Sequence, residues 1–398
     1  MPVPRIKPGN YPAVLSYGFR PFFLLGSVYA GLSILVWLPL FYGELETASL
    51  FAPIDWHIHE TLFGYLAAIV TGFLLTAIPN WTGRLPVQGM SLFVLVVIWL
   101  AGRFAVFFSA EIGWVAAAVI DCAFLLAVAG AAGMEIVAGR NWRNLKVLAP
   151  VTILFLANIL FHIEAHVNGL TDVSRRLGIG AALVLIMIIG GRIIPSFTRN
   201  WLARENPGRL PVPFGRFDAV AIVISGATLT AWALLPEQPV VGIMLLAAGG
   251  LNLLRLARWA GDRTLRDPLV FVLHLAYAFV PLGFLLAGLA ILAPDIVPAV
   301  AAIHAFGAGA IGAMTLAVMA RATLGHTGRD LHAGPGTCMV FAAITLSAGL
   351  RIAAAFSSSP AMLHASAAFW AVAFLGYALL YGQALTTPKL RPRAAQQA

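Results

Sequence analysis

The sequence predicts an all-α polytopic membrane protein of twelve transmembrane helices. Three observations carry that reading: an apolar composition, twelve apolar runs of spanning length, and a sorting of charge between alternate loops. Hydrophobic residues make up 60% of the 398 and charged residues only 10%, with a mean hydropathy of +0.89. A soluble domain carries about 25% charged residues, so an ordinary soluble fold is excluded. The net charge of +9 is then a matter of loop placement and not a nucleic-acid surface. Cys122 and Cys338 lie in or beside apolar runs, a placement that supports neither a disulfide framework nor a Cys metal site.

A spanning helix needs about 20 predominantly apolar residues. Such runs cover 19 to 42, 57 to 79, 90 to 108, 112 to 138, 147 to 168 and 176 to 196, then 216 to 235, 239 to 259, 268 to 292, 297 to 320, 336 to 356 and 361 to 385. Arg5 and Lys7 precede the first run without the apolar core of a cleavable signal peptide, so the chain is expected to insert by helix 1. Basic residues then recur on one side: Arg84, Arg140, Arg143, Lys146, Arg199, Arg204, Arg209, Arg258, Arg263, Arg266, Arg329, Lys389, Arg391 and Arg393. The other loops carry Glu44, Glu46, Asp55, Glu111, Asp172, Glu237 and Asp295, against only Arg175 and Arg176. By the positive-inside rule both termini are cytoplasmic.

Helices 2, 6 and 10 end alike, with a Thr followed within two residues by an Arg: Thr82-Gly83-Arg84, Thr198-Arg199 and Thr327-Gly328-Arg329. The starts of helices 5 and 9 also match loosely. These spacings predict three four-helix repeats, 1–142, 143–262 and 263–398, within a single integral membrane domain of residues 1–398. Helices 2, 6 and 10 would then face one another at the centre.

Candidate chemistry follows from the nine histidines. His57 and His59 open helix 2 on the outer side, His162 and His166 close helix 5 there, and His304 and His364 lie one or two turns into helices 10 and 12. Six imidazoles at one depth of an apolar protein suit haem iron or copper, for which neutral His is a favoured ligand; a proton relay would use them as well. His162 and His166 sit one turn apart on one face and can reach one ion. His57 and His59 differ by about 200° on a regular helix, so either the helix starts after His57 or the two serve different centres. Arg103, Arg192 and Arg351 lie within apolar runs, where an arginine pairs with an anion. Haem propionates are one candidate; Asp121, Glu135, Glu164 or Glu60 are the others. Glu60 and Glu164, each within a turn of a histidine, could orient imidazoles or pass protons. A GxGxxG spacing occurs at Gly307-Ala308-Gly309-Ala310-Ile311-Gly312, but it lies inside an apolar helical run, where close helix packing accounts for it; no phosphate-loop, CxxC or CxxCH motif is present.

Several motifs resemble those of the NnrS family. They are Tyr17-Gly18-Phe19-Arg20-Pro21-Phe22-Phe23, Asp55-Trp56-His57-Ile58-His59-Glu60 with Gly64-Tyr65, Pro79-Asn80-Trp81-Thr82-Gly83, His162-Ile163-Glu164, and Gly191-Arg192-Ile193-Ile194-Pro195-Ser196-Phe197-Thr198. The resemblance covers essentially the whole chain. It implies a bacterial inner-membrane protein with haem b and copper that acts in nitric oxide metabolism, nitric oxide stress relief and denitrification. Three units of four helices also resemble the main subunit of haem–copper oxidases, as an analogy of architecture.

Together these residues and the resemblance lead us to expect a haem–copper protein that binds and reduces nitric oxide. His59 and His304, or His364 in its place, would ligate haem iron; His57, His162 and His166 would hold copper. Arg103, Arg192 or Arg351 would neutralise propionates, and Glu60 or Glu164 would handle protons. Membrane lipid surrounds such a protein, and a quinol is the expected electron donor. The rival readings are a secondary transporter, for which a two-half architecture is commoner, and a nitric oxide sensor or accessory protein.

Overall fold

The computed structural model describes residues 10–357 and 359–390, so Arg5, Lys7, Arg391 and Arg393 lie outside the described residues. Among the described residues every element is helical. Twelve helices are long and apolar enough to cross a membrane. In chain order they are α1 (Phe19–Phe41), α2 (Pro53–Thr82), α3 (Met90–Phe107), α4 (Trp114–Ala138), α5 (Trp142–Asn168), α6 (Asp172–Glu205), α7 (Arg216–Leu234), α8 (Pro239–Arg263), α9 (Pro268–Leu292), α10 (Ala299–Thr327), α11 (Pro335–Ser357) and α12 (Pro360–Thr386).

Three of these run past their apolar cores, each for a local reason. α2 begins at Pro53, whose missing N–H costs nothing in a first turn, and Asp55 sits in that turn against the positive helix end. The consequence is that His57 and His59 both lie inside one regular helix. α6 gains a turn at its start because the Glu164 carboxylate accepts the backbone N–H of Val173 at 3.3 Å and of Ser174 at 2.9 Å. At their other ends α2 and α10 stop at Gly83 and Gly328, whose positive φ of 72° and 74° forms a left-handed cap. α6 has Arg199 where those helices have glycine, and it continues to Glu205.

Consecutive helices from α1 to α12 pack as neighbours, and α12 packs back on α1, so the chain closes on itself. Arg20 fastens that closure: it is buried and its Nη1 donates to the carbonyls of Ala384 at 3.3 Å, Leu385 at 3.0 Å and Thr387 at 2.6 Å. The last carbonyls of α12 thereby gain the partner that a helix end lacks. Inside, α6 packs against both α2 and α10, and a Tyr65–Thr315 hydroxyl pair joins α2 to α10. α2 and α10 are the most enclosed of the twelve, followed by α9 and α6. Cys122 and Cys338 are both free thiols.

Candidate metal and cofactor centres

Two polar regions are built on α2, one on each side. The first is a cluster among α1 to α5. His59 is fully buried; its Nδ1 lies 3.0 Å from Glu60 Oε1, and its Nε2 lies 3.1 Å from Asp121 Oδ2 and 3.0 Å from Asn158 Oδ1. Asn158 Nδ2 donates to Asp121 Oδ2 at 2.8 Å, which turns its carbonyl oxygen toward His59. His59 Nε2 must therefore be a donor. With both ring nitrogens on oxygen acceptors, a doubly protonated imidazole satisfies every contact.

Arg103 spans the two carboxylates, donating from Nη1 to Glu60 and from Nη2 to Asp121. Tyr29 donates to the same Glu60 oxygen. Positive charge on Arg103 and His59 then balances Glu60 and Asp121, as a buried ion cluster requires. Gly64 makes room for this arrangement, since a Cβ there would collide with Arg103 Nη1 and Glu60 Oε2. Its carbonyl accepts from Trp99 Nε1 at 3.0 Å.

His162 and His166 extend the cluster toward the acidic loops. His162 Nε2 lies 3.1 Å from Asp121 Oδ2, and His166 Nδ1 donates to the His162 carbonyl at 2.8 Å. Their other nitrogens, His162 Nδ1 and His166 Nε2, are buried without a hydrogen-bond partner. Phe51 packs on His59, His162 and His166 with ring centroids at 5.0, 5.2 and 5.3 Å, and Trp114 stacks on His166. One ligand atom from each of His59, Asp121 and His162 lies within 4.8 Å of the other two. Orphaned imidazole nitrogens in an apolar surround, with a carboxylate behind one of them, fit a metal ion of the copper or zinc type.

The second region is a cavity of about 660 Å³ on the other side of α2, walled by α1, α6, α7 and α9 to α12. A cofactor-sized site falls in this range. His57 and His304 line it, with Arg175, Arg176 and Arg351. Trp37 stacks on His57 at 4.3 Å. His304 Nδ1 donates to the Val300 carbonyl at 2.8 Å, which leaves Nε2 as the ring's free lone pair. Arg351 lies within electrostatic reach of both imidazoles. Arg175 and Arg176 are engaged by Asp172, whereas Arg351 makes no hydrogen bond or ion pair among the described residues. Gly307 lines the same wall, and a Cβ there would meet nothing within 4 Å. A flat wall, two histidines and an uncompensated arginine fit an acidic macrocycle such as haem.

The helix itself changes gait at these residues. Wider π-helical segments run over Glu60–Leu66, Glu164–Asn168 and Ala305–Ala313, starting directly after His59 and His304 and two residues after His162. Such segments recur at functional sites.

The structure brings His57 together with His304, and His59 together with His162. The expected sets, His59 with His304 and His57 with His162 and His166, are thus divided between the two regions. Arg103 has taken the ordinary carboxylate partners, while Arg351 has none. Arg192 is exposed, over the Phe214 ring at 5.8 Å and 3.5 Å from Asn144, and belongs to neither region. His364 is exposed, stacks on Tyr42 and donates to the Pro360 carbonyl at 2.7 Å. Glu164 accepts from the first turn of α6 and from the Ser174 hydroxyl at 2.5 Å, a capping role. Glu135 pairs with Arg84.

Sequence reasoning missed Asn158, Tyr29 and the Arg175-Arg176 pair. Asn158 stands one turn before His162 on the same face, a spacing that could have drawn attention to it. The arginine pair was the only basic break in the acidic loops, and the cavity accounts for it.

Two comparisons bear on identity. No curated protein matches the chain. The family model for NnrS protein matches residues 13–389, nearly the whole chain. With twelve spanning helices and buried histidine centres behind that match, the chain belongs to the NnrS family.

Proposed function

We propose that this chain holds haem b in the cavity between α2 and α10 and binds and reduces nitric oxide there. Membership of the NnrS family already makes it a nitric-oxide-related membrane protein. The observation that carries the finer reading is the cavity itself, where His57 and His304 face a space of about 660 Å³ beside an unpaired Arg351. His57 and His304 would hold the iron, one of them giving up its place when nitric oxide binds, and Arg351, helped by Arg175 and Arg176, would hold the propionates. Bound haem supplies an iron that takes up nitric oxide and carries electrons. Copper would be held by His162 and His166 through their free nitrogens, with Asp121 orienting His162 from behind.

Reduction of two nitric oxide molecules consumes two electrons and two protons and yields one nitrous oxide and one water. A quinol in the bilayer is the proposed electron source. Glu60 and His59 stand where protons could be held, since both are buried and hydrogen-bonded to one another. The proposed setting is the bacterial inner membrane, with both termini cytoplasmic, a reading that the loop charges support.

An absorption spectrum of the purified protein, titrated with nitric oxide, tests this directly. A Soret band that shifts on titration is expected; no Soret band in the protein as isolated ends the reading. Nitric oxide consumption that depends on added quinol would separate reduction from binding alone.

A further inference from the structure

We infer that α2 holds the cavity and the cluster apart as two single-metal centres that cannot share a ligand, so that any N–N bond is made inside the cavity. This deepens the haem and copper reading above and rests on it. The argument starts from the helix. Pro53–His59 is regular α-helix, so the side chains of His57 and His59 leave it about 200° apart. Their surroundings agree: His57 lines the cavity, whose walls come from α1, α2, α6, α7 and α9 to α12. His59 contacts Asp121 on α4 and Asn158 and His162 on α5. None of His59, Glu60, Asp121, His162 or His166 lines the cavity.

A helix with its side chains is roughly 10 Å across, whereas two metals that share a substrate stand about 4 Å apart. The backbone of α2 therefore fills the space that a bridging ligand would need. Charge is placed accordingly. Arg103 is paired with Glu60 and Asp121 within the cluster, while Arg351, on the cavity side, makes no ion pair among the described residues. The open space of about 660 Å³ lies on the His57 and His304 side, so a pair of nitric oxide molecules would meet there. Electrons and protons, and no shared ligand, are what the cluster can send across α2.

Electron paramagnetic resonance on the protein loaded with haem and copper tests this without turnover. The ferrous haem–nitric oxide complex and oxidised copper should both give their full signals, broadened weakly at most. Loss of both signals through strong coupling would overturn the inference. A second measurement uses variants: His57→Ala should lower haem and leave copper, and His162→Ala should lower copper and leave haem. Either variant lowering both metals in protein that still elutes as folded would also overturn it. Wild-type protein with no Soret band would instead fail the reading beneath, and the two failures are read at different steps.

Discussion

On one face of α2, His59, Glu60, Arg103 and Asp121 neutralise and hydrogen-bond one another. On the other, His57, His304 and Arg351 look into an open cavity, and Arg351 makes no hydrogen bond or ion pair among the described residues. The contrast teaches how one helix can carry two kinds of site. Buried charges in an apolar protein are tolerated where partners complete them. The ion pairs of the cluster are completed by the chain, whereas Arg351 on the cavity side is left without an ion pair among the described residues. Folding should therefore depend on the ion pairs of the cluster, and retention of the proposed haem on the cavity.

The most severe way to break this comparison is Asp121→Ala. It strips Arg103, His59 and His162 of a shared acceptor in a region where water cannot replace it. Breaking a buried pair in this way costs about 3–5 kcal/mol. The expected outcome is a large fall in the thermal unfolding midpoint in detergent, for protein with and without cofactor alike. A midpoint equal to wild type would show that the cluster is not what holds α2 to α5 together.

The cavity should respond in the opposite sense. His304→Ala removes the proposed haem ligand, whose one hydrogen bond among the described residues is to its own helix, so the apoprotein should unfold at the wild-type temperature. Haem content should fall by more than the roughly 10- to 100-fold that losing an outer-shell partner costs. Equal haem occupancy in the variant, measured by pyridine haemochrome, would remove His304 from the site. Arg351→Gln is the milder version. A charge-assisted bond contributes about 1.5–3 kcal/mol, so haem affinity should weaken roughly 10- to 100-fold. Apoprotein stability should not fall, because no anion is left unpaired when Arg351 is removed. Unaltered affinity would mean that the propionates lie elsewhere.

Much of this was legible in the sequence, and the limit has a physical cause. Hydropathy and loop charge report how long a segment is and which side it leaves from, so the twelve spans could be read directly. The histidine layer was legible as residue types at one depth. Partnership was not, because it depends on helical phase and on contacts far apart in the chain. His57 and His59 could be parted only by knowing that the helix already runs from Pro53. Asn158 and Asp121 meet His59 across 99 and 62 residues, and no local pattern announces that. The π-helical segments after His59 and His304 shift the phase again.

Arg192 gives the smallest expected effect and the sharpest control on the comparison. In the sequence it looks like Arg351: a lone arginine in an apolar run, within a motif shared with the NnrS family. In the structure it is exposed in the second half of α6, with Asn144 at 3.5 Å and the Phe214 ring as its neighbours. Arginines at such depth reach the interface along their aliphatic stems, so no buried anion depends on it. Substitutions at exposed positions usually stay within about 0.5 kcal/mol. Arg192→Gln should therefore leave both the unfolding midpoint and the haem content at wild-type values, under the same conditions in which Arg351→Gln weakens haem. If Arg192→Gln loses haem to the same degree, the effect is one of general charge, and the specific claim for Arg351 falls with it.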